Sequence, residues 1–258
     1  MKLTIVVPVY NDPRVAKALD SILSQELTCD LELIVVDGCS TDQTHRIIDE
    51  YKNSIATFIS EPDDGAYDAM NKGIALASGD IVGILNSDDR YAGPHVLQSV
   101  VTAFKDPSID ACYGNLLYVS ADDEVVRYWD SGHMRKAKFY MGWMPPHPTL
   151  FLRRHVYERY GTFDTRYPLA ADYELMLRLF FINKIQAKYL AMVMVRMATG
   201  GQSDASIKNH LRSNLETLRA WRANGLRMGC LPSMLRQVHK VDQWIRRPRS
   251  KDNMNWEA

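Results

Sequence analysis

In the stretch GILNSDDRYAG, residues 83–93, the apolar run 80–85 stops abruptly at Asn86-Ser87-Asp88-Asp89. Adjacent carboxylates repel each other. A chain that sets them side by side either spends them in a turn, where Asn, Ser and Asp are favoured, or gives them a divalent cation, for which carboxylate oxygens are hard ligands. On this segment alone both readings stand. Three more polar clusters follow apolar runs in the same way: Tyr10-Asn11-Asp12, Asp37-Gly38-Cys39-Ser40 and Asp63-Asp64-Gly65. Any one of them is ordinary loop chemistry; four at successive strand ends favour a site.

The runs before these clusters are the elements that must position them. Residues 3–10 (LTIVVPVY) and 31–36 (LELIVV) are β-branched and almost wholly apolar, as strands buried on both faces are. Residues 57–60 form a short third strand and residues 80–85 a fourth. Between them Val15, Leu19, Ile22 and Leu23 recur at helical spacing. A second helix carries Ile47, Ile48 and Tyr51, with Ser40 or Thr41 as its expected cap. A third runs from about Ala66 to Ala77 and stops at Gly79. Strand–helix alternation of this kind implies a mostly parallel, doubly wound α/β sheet with helices on both faces. In such sheets ligands bind at the carboxyl ends of the strands, where the four clusters fall. No G-x-G-x-x-G follows the first strand and no Walker-type loop occurs, which disfavours a dinucleotide or P-loop site.

Beyond residue 110 the alternation loosens. Residues 111–119 and 124–129 read as strands flanking an Asp-rich turn. Residues 144–152 are a Pro-rich loop entering a strand, and residues 169–174 lead into a helix with Leu175, Leu179 and Ile182 on one face. From about Ser206 the pattern is helical and basic. We therefore divide the chain into residues 1–205, itself made of parts of about 1–110 and 111–205, and a helical basic extension, 206–258.

At 258 residues, 46% hydrophobic and 24% charged, the chain can bury a full core. Its 31 basic and 31 acidic residues cancel overall but not locally. Residues 206–258 hold eleven Lys/Arg against four Asp/Glu, and residues 1–205 hold twenty against twenty-seven. An acidic body with a basic tail suits an anionic surface as the tail's partner. Cys29, Cys39, Cys112 and Cys230 have neither zinc-site spacing nor the density of a disulfide scaffold, so reduced thiols in a cytoplasm are expected. No signal peptide precedes the first strand, and no apolar run approaches the ~18–20 residues of a membrane span.

The segments IVVPVYND, IVVDGCSTDQT, SEPDDGAYDAMNKGIALASGDIVGILNSDD and AADYELMLRL resemble, in order and spacing, the family 2 glycosyltransferases over about residues 1–180. The HPTLF segment is similar to bacterial enzymes that build O-antigen, capsule or exopolysaccharide units. The resemblance implies a GT-A fold, inverting chemistry and a nucleoside diphosphate sugar donor, commonly UDP-linked. It implies that Pro8, Tyr10 and Asn11 edge the nucleoside pocket and that Asp37 accepts from the uracil N3–H. Asn86, Ser87 and Asp88 occupy the family's D-x-D position, with Asn for the first Asp. Asp88, then Asp89, would hold Mn²⁺ or Mg²⁺ against the diphosphate. Asp64, Asp68 and Lys72 follow one another at i+4 and are donor-contact candidates beside the alternative of a surface ion-pair row; Asn71 is a weaker one.

Asp172 is the expected catalytic base, placed at a helix N-terminus that favours its ionised form; Glu174 is the alternative. The residue before Asp172 is Ala171, where many relatives carry another acid. His147, in Pro-Pro-His-Pro, is a candidate contact to diphosphate or acceptor; His133 and Trp143 weigh less, and residues 192–197 read as core. Residues 199–203 resemble a loop that closes over the donor.

Leu231, Met234, Leu235, Val238, Val241 and Ile245 form an apolar stripe ringed by Arg and Lys, suited to a membrane interface or to packing on a protein. The resemblance places the protein at the cytoplasmic face of an inner membrane, with a saccharide acceptor carried on undecaprenyl diphosphate; an oligomer is compatible and nucleic acid is not expected. Two other classes compete: a sugar nucleotidyltransferase, which lacks its usual Gly-rich, Lys-containing loop here, and a non-catalytic nucleotide-sugar-binding scaffold, which has no need of a base at Asp172.

Overall fold

The protein is seen in a computed structural model that describes residues 1–199 and 207–226. Strands β1 (Lys2–Val9), β2 (Asp30–Asp37), β3 (Thr57–Ser60) and β4 (Ile81–Ile84) lie parallel in the order β3-β2-β1-β4. Helices α1 (Val15–Leu23), α2 (Thr44–Glu50) and α3 (Ala66–Leu76) connect them. The expected second and third strands and third helix are present within a residue at most positions.

Side-chain alternation along the strands feeds two helical layers. Val6, Ile34 and Val36 face one layer with Met70 and Ile74 of α3. Ile5, Val7, Leu33 and Val35 face the other with Leu19 and Ile22 of α1. Each such buried aliphatic side chain contributes roughly 1.5–3 kcal/mol relative to exposure. A Cβ at Gly73 would come within 2.2 Å of Val6 Cγ1, so glycine is what lets α3 lie this close to β1.

Past β4 the sheet becomes mixed. Strand β5 (Asp89–Tyr91) and helix α4 (Val96–Ala103) come first, then β6 (Ala111–Val119) and β7 (Val125–Trp129). Helix α5 (Lys136–Tyr140) and a 3₁₀ turn at His147–Thr149 lead to β8 (Phe151–Arg153) and α6 (Arg154–Tyr160). Helix α7 (Ala171–Met176), β9 (Ala187–Ala198) and α8 (Ile207–Ala223) complete the described chain. The full order is β3-β2-β1-β4-β8-β6-β9-β5, with β7 on β6. Antiparallel β8 joins the two halves, pairing with β4 on one side and β6 on the other.

Helix α8 packs on α7. Trp221 is wholly buried, and its Nε1–H donates to the Tyr173 hydroxyl at 2.8 Å. The Glu216 carboxylate accepts from Leu169 N at 2.8 Å, and Asn224 Nδ2 donates to Glu174 at 3.3 Å.

Three local expectations are corrected. Neither Ser40 nor Thr41 caps α2: Asp42 Oδ1 accepts from Thr44 N at 2.9 Å, while Ser40 turns to Asp37 and the Thr41 N–H to Asn11. Asp64 precedes α3 instead of sharing its face, because Gly65 enters the helix at φ 108°. Ile182 is 36% exposed instead of lying with Leu175 and Leu179, since Leu177–Ile182 winds as a π-helix and its extra residue per turn rotates the face. The 231–245 stripe, Cys230 and all but Thr199 of the 199–203 loop lie outside the described residues.

Candidate active site

The ends of β1, β2 and β4 build the centre of the site. After β1 the chain turns sharply at Asn11 (φ 46°), a left-handed conformation that Asn tolerates. Asn11 N–H donates to Ser40 Oγ at 2.8 Å, and its Oδ1 accepts from Thr41 N at 2.8 Å. One asparagine thus ties the loop after β1 to the loop after β2.

Asp37 ends β2 wholly buried. Its carboxylate accepts from the Ser40 N–H (3.1 Å), the Ser40 hydroxyl (2.5 Å) and the Ser60 hydroxyl (2.6 Å). Here Asp37 serves as a loop anchor, the Asx-type role that competes with base recognition. Tyr10 is 57% exposed beside it. A Cβ on Gly38 would meet Asp63 Oδ2 at 2.5 Å and the Tyr10 ring at 3.3 Å, so Gly38 lets these two side chains close over the strand end. Pro8 is buried within β1 opposite Val36.

The acids after β4 take separate duties. Asp89 is 1% exposed and accepts from Asn86 Nδ2 at 3.0 Å, while its Oδ1 has no hydrogen-bond partner. Burial, then the neighbouring Asp88 charge, pushes its pKa well above the usual carboxylate range. This explains the Asn at the first D-x-D position: a carboxylate there would face a buried carboxylate, whereas the amide donates to it. Asp88 keeps its side chain partly open (17%). Burial and the Asp12 charge raise its pKa, and Arg14 opposes them.

Sequence reasoning missed two residues here. Asp12 accepts from Arg14 Nε at 2.8 Å, Arg14 Nη2 at 3.1 Å and the Ser87 hydroxyl at 2.8 Å. Burial would raise the Asp12 pKa, but these bonds outweigh it and leave it lowered. Arg14 Nη2 also lies 3.4 Å from Asp88 Oδ2. Asp12 was visible as part of a strand-end cluster; Arg14 had no signal beyond its proximity to it.

Asp68 and Lys72 fasten the loop before α3. Asp68 Oδ2 accepts from Asp64 N at 3.2 Å, and Lys72 Nζ donates to Pro62 O at 2.7 Å. Lys72 also pairs with Glu61 (3.0 Å) and Asp68 (3.4 Å). Of the expected ion-pair row Asp68–Lys72 is present and Glu61 joins it, while Asp64 takes part only through its backbone N–H. Asn71 instead bonds reciprocally with Phe163: its Nδ2 donates to Phe163 O and its Oδ1 accepts from Phe163 N, both at 2.9 Å.

In the second half of the sheet, the 3₁₀ turn bearing His147 sits against β4 and β6, and the imidazole packs edge-on with Phe163, ring centres 5.2 Å apart. Burial lowers the His147 pKa, and the Asp172 charge works against that. Asp172 Oδ1 accepts from the adjacent Tyr173 N–H at 2.7 Å. Glu174, the alternative base, is 5% exposed and bonded to Arg178 Nε (3.0 Å) and Nη2 (2.8 Å). Its lone pairs are committed.

Among the described residues no three His, Cys, Asp or Glu side chains form a metal cage. The donor set nevertheless fits a hard divalent ion that keeps waters and substrate phosphates as its other ligands, a mode needing only one or two carboxylates. Asp88 and Asp12 could supply these, with buried Asp89 behind them.

A parallel β3-β2-β1-β4 half joined through an antiparallel strand to a second half, with acids at the strand ends, is the GT-A arrangement. The Glycosyl transferase family 2 model matches residues 4–166, and the chain belongs to that family. A PGL/p-HBAD biosynthesis glycosyltransferase of Mycobacterium bovis is 30% identical over 197 residues, 74% of each chain. An uncharacterized glycosyltransferase of Mycobacterium tuberculosis is 32% identical over 185 residues, which cover 66% of this chain and 65% of that protein. The chain thus matches slightly under two thirds of the latter's length.

Among solved structures, S. aureus TarS 1-349 in complex with UDP-GlcNAc superposes with TM-score 0.65 at 17% identity, covering 95% of this chain and 70% of that one. The mannosyltransferase PcManGT from Pyrobaculum calidifontis, in complex with GDP-Man and Mn²⁺, superposes with TM-score 0.64 at 20% identity, covering 93% and 68%. Both show the likeness of fold.

Proposed function

We propose that the protein is a divalent-metal-dependent inverting glycosyltransferase that moves a sugar from a nucleoside diphosphate sugar, UDP-linked in our reading, to a saccharide hydroxyl. One observation carries the reading: Asp88, flanked by Asp12 and by the Arg14 guanidinium, lies in the turn after β4, the strand against which the His147 turn packs.

In this scheme Tyr10, Asn11 and Asp37 border the nucleoside, with Asp63 beside them. Asp37 exchanges a serine hydroxyl for the base N–H, a trade its three present donors permit. Asp88 and Asp12 would hold Mn²⁺ or Mg²⁺, which neutralises charge on the departing diphosphate. Asp172 takes the proton of the acceptor hydroxyl as its oxygen bonds to C1 and the C1–O bond to the diphosphate breaks on the opposite face. His147, held neutral by burial, orients the acceptor or the leaving group by a hydrogen bond. Asp64, Asp68 and Lys72 border the donor loop, and release of the Lys72 ammonium from Glu61 would let it meet a phosphate.

A lipid-linked acceptor at the inner face of a membrane, as in surface polysaccharide assembly, would give the basic 227–258 segment its purpose. No described helix is long and apolar enough to cross a membrane.

The test offers UDP-, GDP- and dTDP-sugars with Mn²⁺ and follows donor-dependent melting shifts and the released product. UDP release supports transfer; pyrophosphate would establish a nucleotidyltransferase, and binding without turnover a scaffold. Co-sedimentation with anionic vesicles, full chain against a chain ending at Gly229, reads the membrane part, and equal pelleting removes it.

A further inference from the structure

The cation between Asp12 and Asp88 is the protein's own. The Arg14 guanidinium lies side-on against Asp12, with bonds of 2.8 and 3.1 Å, and the same Nη2 reaches Asp88 Oδ2 at 3.4 Å. Ser87 completes Asp12 from the other side at 2.8 Å. Asp12, Ser87 and Asp88 are mostly buried, whereas Arg14 is half exposed (49%). The guanidinium therefore caps the carboxylates from the solvent side, on a side chain long enough to swing away. A divalent ion and this guanidinium require the same oxygens, and two such cations repel each other at contact distance. A diphosphate suits a guanidinium at least as well as a carboxylate does, because it accepts paired N–H donors.

We propose that Arg14 is a built-in counter-cation that competes with divalent metal for Asp12 and Asp88 and is drawn off them by the diphosphate of the donor. Metal and donor then enter together: metal alone must displace Arg14 into water, whereas metal with diphosphate gives Arg14 a new partner. The inference rests on the metal assignment of the proposed function and adds a coupling residue to it.

The test is Mn²⁺ affinity, read by the free-ion electron paramagnetic resonance signal, with and without saturating UDP, for wild type, Arg14→Gln, Arg14→Lys and Asp88→Ala. Arg14→Gln should bind Mn²⁺ alone at least about tenfold more tightly than wild type, and UDP should add less to its affinity than to that of wild type. Arg14→Lys keeps the charge without the side-on pair and should fall between; being charge-conserving, it also reports if the Gln variant does not fold. Asp88→Ala should lose the tight site. Equal Mn²⁺ affinity in wild type and both Arg14 variants, with UDP still enhancing it, overturns the counter-cation and leaves the metal assignment standing. Absence of Mn²⁺ binding in every arm, UDP included, overturns both.

Discussion

Asp172 and Glu174 sit two residues apart in one turn of helix, yet their surroundings differ sharply. Glu174 is gripped by Arg178 and buried; Asp172 spends one oxygen on the next backbone N–H, and its charge acts on His147. Asp172→Asn should therefore keep donor affinity and cut turnover by roughly 10²–10⁴-fold, the range for a lost general base. Glu174→Gln should lower stability with a smaller effect on the rate per folded molecule. Rates and urea midpoints of both variants check this, and the reverse pattern would move the base to Glu174. At this scale the sequence marks candidate positions and says little of what they touch. Asp88, Asp172 and His147 stand out by motif position. The use of Asp37 by Ser40 and Ser60, the Asn86–Asp89 bond and the Arg14 clamp depend on rotamers that no spacing encodes.

At the scale of elements, the first, second and fourth strands were legible as short, mostly buried apolar runs ended by polar clusters, and β3 as a short strand between two helical segments. The second half was harder, since β5 and β8 are three residues each and exist only by pairing. The π-helical turn after α7 also defeats 3.6-residue periodicity. Helix α8 read as part of a basic extension, but its Trp221 fills the core against α7, the helix of Asp172. Trp221→Ala should cost about 3–5 kcal/mol. Tyr173→Phe, which deprives the buried indole N–H of its acceptor, should cost about 1–3 kcal/mol. Urea unfolding at neutral pH reads both; a Trp221→Ala loss below about 1 kcal/mol would mean that α8 does little to hold α7.

For the whole molecule, the two edges of the parallel sheet are built to opposite ends. At the amino edge Glu32 accepts from Lys2 Nζ (2.6 Å), Thr4 Oγ1 (2.6 Å), Ser78 N (2.8 Å) and Ser78 Oγ (2.5 Å). Burial would raise its pKa, but these bonds lower it from 4.5 to about 2. A depressed carboxylate stabilises fully above its unfolded value, so this contribution is present above pH 4.5 and lost as pH falls toward 2. It amounts to as much as about 3 kcal/mol. Glu32→Gln should be destabilised at pH 7, and the gap to wild type should narrow at pH 3. A gap unchanged between those two pH values would show that the network is insensitive to ionisation. The carboxyl edge has the reverse character, with like charges crowded together and the Asp89 oxygen unpaired, which is where a ligand gains most by binding.

The paired bonds between Asn71 and the Phe163 backbone have a consequence for timing. They couple helix α3, which follows the donor loop, to the loop whose ring rests on His147, so a shift on one side is felt on the other. Under the proposed function, such a linkage predicts that the substrates add in sequence, donor before acceptor. With both substrates varied, wild type should give the product-inhibition pattern of ordered addition, with UDP competing only against the donor. Asn71→Ala, which cuts the linkage at its single amide, should drift toward random order, and an unaltered pattern would mean that the two sides keep independent clocks.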